Sequence, residues 1–392
     1  MPLRFGLGLR MHSAWMSNCA PWKGLVRALL ICALLPYPSI VALCDDNTGQ
    51  PGFRVAVFTP TTANNTYWPE VHSILRAAAS DLDISLEIHE FNLSDRFEKV
   101  SVGVRRLTTE PLPDAAVFSV EFGEAVRLMD AAEQAGIPFF LNGPLFPEEL
   151  NQLGELPGQA YQHWVGYFLE DEELKGYLLA QKLIAAARRA RNAEDDGTIY
   201  VAGINGTRSW YGSILREAGL RRAIDDHPDV ELLQMVYTRW TPEEGRRMAS
   251  RILRRYPEVS VLWTASDQLA IGVAETISNG LAPDDLPVHT GGLDLSGAGI
   301  ESVLQGDLVA TVASSSLLWA QVIIDLYDHL QGVDRASHAD SVLLAAPSVA
   351  DRSTAESIRS RIREFEAIDF RQFSRFHEGA DAPRLDEIMG DW

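Results

Sequence analysis

Phe53-Arg-Val-Ala-Val-Phe-Thr-Pro60, running on through Thr61 to Tyr67-Trp68-Pro69, is the stretch on which the fold turns. Its first half is a short apolar run with β-branched and aromatic residues, the pattern of a buried parallel strand. The run stops at Thr59-Pro60, and a polar turn follows. Beyond Pro69 apolar residues recur at helical spacing (Val71, Ile74, Leu75, Ala78, Ala79, Leu82). Strand, loop with aromatics, then helix is the first βα unit of an open α/β sheet, and such sheets bind ligands at the carboxyl ends of their strands. Asn65, Tyr67 and Trp68 are therefore candidates to face a ligand. On this stretch alone, packing of Tyr67 and Trp68 under the helix is the plainer reading.

The alternation continues outward. Strands are expected at Leu86–Phe91, Ala115–Val120 and Gly136–Leu141, with helices at Arg96–Thr108 and Gly123–Ala135 between them. Pro144 to Pro157 reads as a long loop. Strand Tyr161–Phe168 and helix Glu172–Arg191 follow. A second run of βα units then starts at Thr198 and continues to a helix at Leu317–Gln331. Strict alternation implies parallel sheets with right-handed crossovers, here in two similar lobes. From Gly332 the pattern weakens. Val342–Ala346 reads as a strand, and the acidic end reads as a mobile tail.

The chain has 392 residues, enough for two domains, and its 46% apolar and 22% charged content is that of a globular protein. Residues 1–44 differ. They carry four basic residues and no acid, then the apolar run Ala28–Leu35, Pro36-Tyr-Pro38, and small residues before Cys44. That order is a secretory signal peptide, with an apolar core too short to span a bilayer. A lipoprotein signal ending at Cys44 is the rival reading, and Leu43 beside it argues against that. All three cysteines lie in this segment, so the mature chain has no thiol. Losing four positive charges from a chain of net −20 leaves −24. Such a charge repels phosphate backbones and anionic membranes, which argues against nucleic acid as a partner.

Five stretches in order give the chain a resemblance to the type I periplasmic binding proteins of the ribose/galactose sugar-binding group, relatives of the lac-repressor ligand-binding core. They are Asn65-Thr-Tyr-Trp68 after the opening strand, Ala135-Gly-Ile-Pro-Phe-Phe-Leu-Asn142, Asp171 with Gly176, Tyr256 to Gly272, and Gly292-Leu-Asp294 with Gln305 to Thr311. The resemblance covers residues 53–350. It implies two Rossmann-like α/β lobes joined by a three-strand hinge: 53–165 with 315–338, and 166–314 with 339–350. Residues 351–392 are then a C-terminal extension. It also implies a small polar ligand, usually a sugar, in the cleft between the lobes.

Carried over residue by residue, the resemblance puts Asn65, Tyr67, Trp68 and Asn142 on the first wall. Trp240, Ser266, Asp294 and Ser314 stand on the second. Trp240 and Asp294 at matching places in the other lobe turn the reading of Trp68 from packing to contact. Of two nearby arginines, Arg208 is taken to reach the cleft and Arg216, three residues before Gly219, to be structural. Asp171 and Asp267 read as helix caps. Trp210 and Tyr211 either line or roof the cleft. Tryptophan faces suit the C–H face of a sugar ring, and carboxylate and amide groups suit its hydroxyls. The departures are Asn142-Gly143 for the ribose type's Asp-Arg, and Ser266 and Ser314 for longer amides.

No nucleophile elbow, P-loop or paired metal-ligand motif occurs, so neither an enzyme nor a metal or cofactor site is expected. The expectation is a monomeric exported solute-binding protein serving an ABC importer. A sensor presenting its bound state to a membrane receptor kinase, cyclase or chemoreceptor is the alternative, with Ile368–Ser374 as a candidate docking patch.

Overall fold

The computed structural model describes residues 52–61, 66–92, 96–121, 123–190, 197–281, 286–333 and 341–389. The signal segment and Asn65 lie outside these. Strand β1 (Phe53–Thr61) buries Val55 to Thr59. Val55 and Val57 face one core, and Ala56 and Phe58 face another on the opposite side of the sheet. A strand buried on both faces can afford no polar alternation, which is why its sequence is a continuous apolar run.

Helix α1 (Tyr67–Asp81), β2 (Ile84–Asn92), α2 (Arg96–Thr108), β3 (Ala115–Ser119), α3 (Ala125–Ala135) and β4 (Phe139–Asn142) continue the first lobe. The expected loop after β4 holds a short helix, α4 (Pro147–Leu153). Pro147 opens it without needing a backbone N–H, and Glu149 accepts from Phe146 N at 3.2 Å. Strand β5 spans Trp164–Glu170. The second lobe runs α5 (Glu172–Ala190), β6 (Ile199–Asn205), α6 (Tyr211–Asp225), β7 (Val230–Tyr237), α7 (Pro242–Arg255), β8 (Val259–Thr264), α8 (Asp267–Thr276), β9 (His289–Gly291), α9 (Gly297–Gln305) and β10 (Ala310–Ala313). Then come α10 (Leu318–Leu330), β11 (Val342–Ala345), β12 (Ser348–Asp351), α11 (Ala355–Arg363), α12 (Arg375–Glu378) and α13 (Leu385–Met389).

The first sheet has the order β11-β5-β4-β3-β1-β2, all parallel. The second has the order β7-β6-β8-β9, also parallel, and β10 pairs antiparallel with β12 beside it. Two of the expected boundaries move. All of β5, to Glu170, belongs to the first sheet, and β11 pairs with β5 there rather than in the second lobe. The expected strand at Val342–Ala346 is there as β11, but its sheet was not readable from so short an edge strand, with Leu344 facing out while Leu343 and Ala345 enter the first core.

The end of the chain is also different from expectation. Ile358 and Ile362 of α11 pack in the second lobe with Ile300 and Leu308, and Arg359 bonds Glu301 at 2.9 Å. Past Arg363 the chain returns to the first lobe, where Phe370 is fully buried and Leu385 is nearly so. Within Ile368–Ser374 the aromatic side chains Phe370 and Phe373 are buried as anchors rather than offered to a partner, and the tail straps the two lobes, the plainer reading of this extension. Asp328 holds it, accepting from Arg375 N at 2.8 Å, Phe376 N at 3.2 Å and the Ser374 hydroxyl. Asp328→Ala leaves these donors without a partner and is expected to cost about 1–3 kcal/mol. Urea denaturation checks this; an unchanged midpoint would show the tail to be loosely held.

Candidate functional site

The carboxyl ends of both sheets face each other across a cleft enclosing about 1060 Å³ of empty space, its open mouth included. Tyr67 and Trp68 enter from the start of α1, and Asn142 from the end of β4. Trp240 enters from the turn after β7, Ser266 from the cap of α8, and Asp294 from the loop after β9. These six candidates are brought together.

Trp240 is held in an unusual way. Its backbone has φ +69°, the left-handed region that bulky residues avoid. Such a conformation costs about 1–3 kcal/mol and persists only where the surroundings fix it. Thr238 fixes it, its hydroxyl donating to Asn205 O at 2.8 Å and accepting from Trp240 N at 3.4 Å. Thr241 then caps α7 by accepting from Glu244 N at 3.3 Å. Gly206 makes the seat, since a Cβ there would lie 1.9 Å from the indole.

Asn142 accepts from the Ser119 hydroxyl at 3.0 Å, which leaves its amide N–H groups as donors on the first wall. Ser266 caps α8 by accepting from Leu269 N at 3.2 Å and keeps its own O–H to give. The cap of α8 is therefore Ser266. Asp267 is fully buried one residue on, bonding Thr311 and Ser296 and knitting α8, α9 and β10 together. Asp171 does cap α5, accepting from Leu174 N at 2.8 Å.

Three corrections concern the remaining candidates. Arg208 is exposed, its guanidinium 4.9 Å from the Tyr237 ring, and it does not line the cleft. Arg216 does. Gly176 and Gly219 let α5 and α6 touch backbone to backbone, a Cβ at either meeting a carbonyl oxygen at about 2 Å. That approach drives Arg216 inward, where it bonds Glu172 at 2.6 Å and Ala265 O at 2.6 Å, with Asp294 at 3.8 Å. Ser314 turns to Glu170 through its amide and hydroxyl and holds that carboxylate instead of facing a ligand.

Among the described residues, each cation lining the cleft is paired with a carboxylate. Lys175 lies 3.1 Å from Glu170 and 3.0 Å from Glu172, and Lys99 lies 2.9 Å from Glu124. Burial would raise the pKa of Glu170, but Lys175, the Ser314 hydroxyl and Arg216 outweigh it and hold it below the usual range. Asp294 goes the other way. Burial and the neighbouring Asp267 carboxylate push its pKa well up, against the pull of Arg216. Burial also raises Tyr67, whose hydroxyl accepts from the Trp319 indole at 3.1 Å.

A model of the periplasmic binding protein domain matches residues 55–333, more than half of the chain. The chain belongs to the periplasmic binding protein family. A curated relative, the D-apiose import binding protein of Paraburkholderia graminis, is 22% identical over 282 residues, covering 72% of this chain and 82% of that protein. A periplasmic sugar-binding protein from Pseudomonas fluorescens superposes with a TM-score of 0.73 at 22% identity, covering 85% of this chain and 98% of the other. An ABC transporter solute-binding protein from Actinobacillus succinogenes with bound D-allose gives 0.65 at 22%, covering 78% and 99%. Within this periplasmic binding protein, Trp210, expected to line or roof the cleft, lines it, and the cleft residues that sequence reasoning missed include Lys99, Lys175 and Glu172. The buried lysines became visible only once their helices were packed.

Proposed function

We propose that the protein is an exported solute-binding protein that captures an uncharged sugar or related polyol between its lobes and delivers it to an ABC importer. The observation that carries this is the pair of facing walls: Trp68 and Asn142 on one, Trp240 and Asp294 on the other. Indole faces cover the C–H face of a ring, while the carboxylate and amide fix hydroxyl directions. Because Lys99, Lys175 and Arg216 are already neutralised by carboxylates, an anionic sugar would find no spare positive charge among the described residues that line the cleft. The D-apiose relative supports a sugar ligand and an import role. The sensor alternative drew on a docking patch at Ile368–Ser374, and Phe370 and Phe373 there are buried.

A thermal-shift screen of residues 45–392 against D-apiose, D-allose, other pentoses and hexoses, polyols and sugar acids tests the proposal. A cognate solute at a thousand times its Kd stabilises by about 4 kcal/mol, an easily seen rise in melting temperature. Neutral solutes are expected to shift it and sugar acids to leave it unmoved. No shift with any solute, or a shift with sugar acids alone, would contradict the proposal.

A further inference from the structure

Three successive residues of the second lobe reach across to the first. The Ser209 hydroxyl donates to Glu121 Oε2 at 2.8 Å. The Tyr211 ring lies 5.0 Å from that of Phe146. Between them Trp210 lies against Gly143, where a Cβ would sit 3.1 Å from the indole nitrogen. Gly143 has φ +92° and no side chain, so it offers bare backbone directly beyond Asn142. The same indole is built into the second wall. Arg216 covers one face at 4.8 Å, Trp240 meets it edge-on at 5.8 Å, and Gly212 is bare so that the ring can fold back over it.

We propose that Ser209-Trp210-Tyr211 is the latch that holds the lobes shut, with Trp210 as its positioning residue and Gly143 as its seat. Trp210 touches the ligand wall and the opposite lobe at once, so its placement couples occupation of the cleft to closure. A ligand seated against Trp240 buttresses the wall on which Trp210 rests, and in that position the indole lies against Gly143. A second closing contact lies elsewhere on the rim, where Gln268 donates to Thr66 across the lobes. It serves as an independent reporter of closure. The inference uses the two-lobed cleft of the proposed function but not the nature of its ligand.

Residues 45–392 contain no cysteine, so a pair can be introduced without background. In Thr66→Cys/Gln268→Cys, a short bis-methanethiosulfonate reagent links the lobes only when they close, and the rate is read without any ligand. Adding Trp210→Ala, or Gly143→Val, is expected to slow cross-linking at least about tenfold. Trp210→Phe, which keeps a ring against Gly143, is expected to recover most of the rate. Melting temperatures report folding separately. Rates within about twofold of the parent pair for both Trp210→Ala and Gly143→Val would overturn the latch. So would a parent pair that never links, because the closed contacts would then not form in solution. A protein that binds no sugar yet cross-links as predicted would refute the proposed ligand and leave the latch standing.

Discussion

Asp294→Asn is expected to remove ligand binding and, at neutral pH, to raise the stability of the ligand-free protein. The carboxylate is 15% exposed, with Arg216 at 3.8 Å and the buried Asp267 carboxylate close by. Taking away a buried charged partner of a ligand hydroxyl costs about 2–5 kcal/mol, which is about 30-fold to several-thousand-fold in Kd. The stability effect has the opposite sign because burial and Asp267 raise the Asp294 pKa. A carboxyl whose folded pKa lies above its unfolded value opposes folding once the unfolded chain would ionise it. That penalty is absent below the ordinary carboxylate pKa, grows as pH rises from there towards the raised one, and is fully present above it. The asparagine variant escapes it, so its advantage in melting temperature over the parent should widen from pH 4 to pH 8. By the same logic, ligand affinity of the parent should weaken on acidification, as a proton competes for the group that receives the ligand's hydroxyl. A variant that binds normally, or whose stability tracks the parent at every pH, would remove Asp294 from the site.

Trp240→Ala is expected to lose binding by about 30-fold or more while the fold persists. The indole supplies one face of the cleft and the edge against which Trp210 rests. Removing it deletes the ring-stacking surface and loosens its neighbour, and truncation of a tryptophan hot spot costs about 2–4 kcal/mol. The fold survives because Trp240 is only half-buried, in a turn held by the Thr238 and Thr241 bonds rather than by the ring. Gly206→Val provides a second route to the same end, since its side chain would occupy the indole's seat. Calorimetric titration of both variants beside the parent, with melting curves to confirm folding, checks the expectation. Retained affinity in both would place the ligand elsewhere.

The sheets were legible because a strand buried on both faces writes its burial directly into the sequence. Val55, Val57 and Phe58 show this for β1, and Val259 to Thr264 show it for β8. Trp68, Trp240 and Asp294 were legible because a large or charged residue directly after such a strand has the cleft to point into. Arg216 was not. Its side chain is aimed by the glycine-to-glycine contact of α5 on α6, which no local pattern reveals, although Gly176 and Gly219 were both in view. Ser314 failed for a related reason: a serine at a strand end can satisfy a neighbouring carboxylate as readily as a ligand, and Glu170 claims it. A helix strapping the two lobes was the plainer of two readings of the C-terminal extension, and the sequence could not choose between it and a docking patch because its anchors, Phe370 and Leu385, lie in short helical segments that carry no period.

The cleft as a binding site is tested most directly by calorimetric titration of the parent with whichever neutral solute raises its melting temperature most, alongside Asp294→Asn and Trp240→Ala. Saturable one-to-one binding by the parent, lost in both folded variants, is the predicted result. Saturable binding that both variants retain would contradict it.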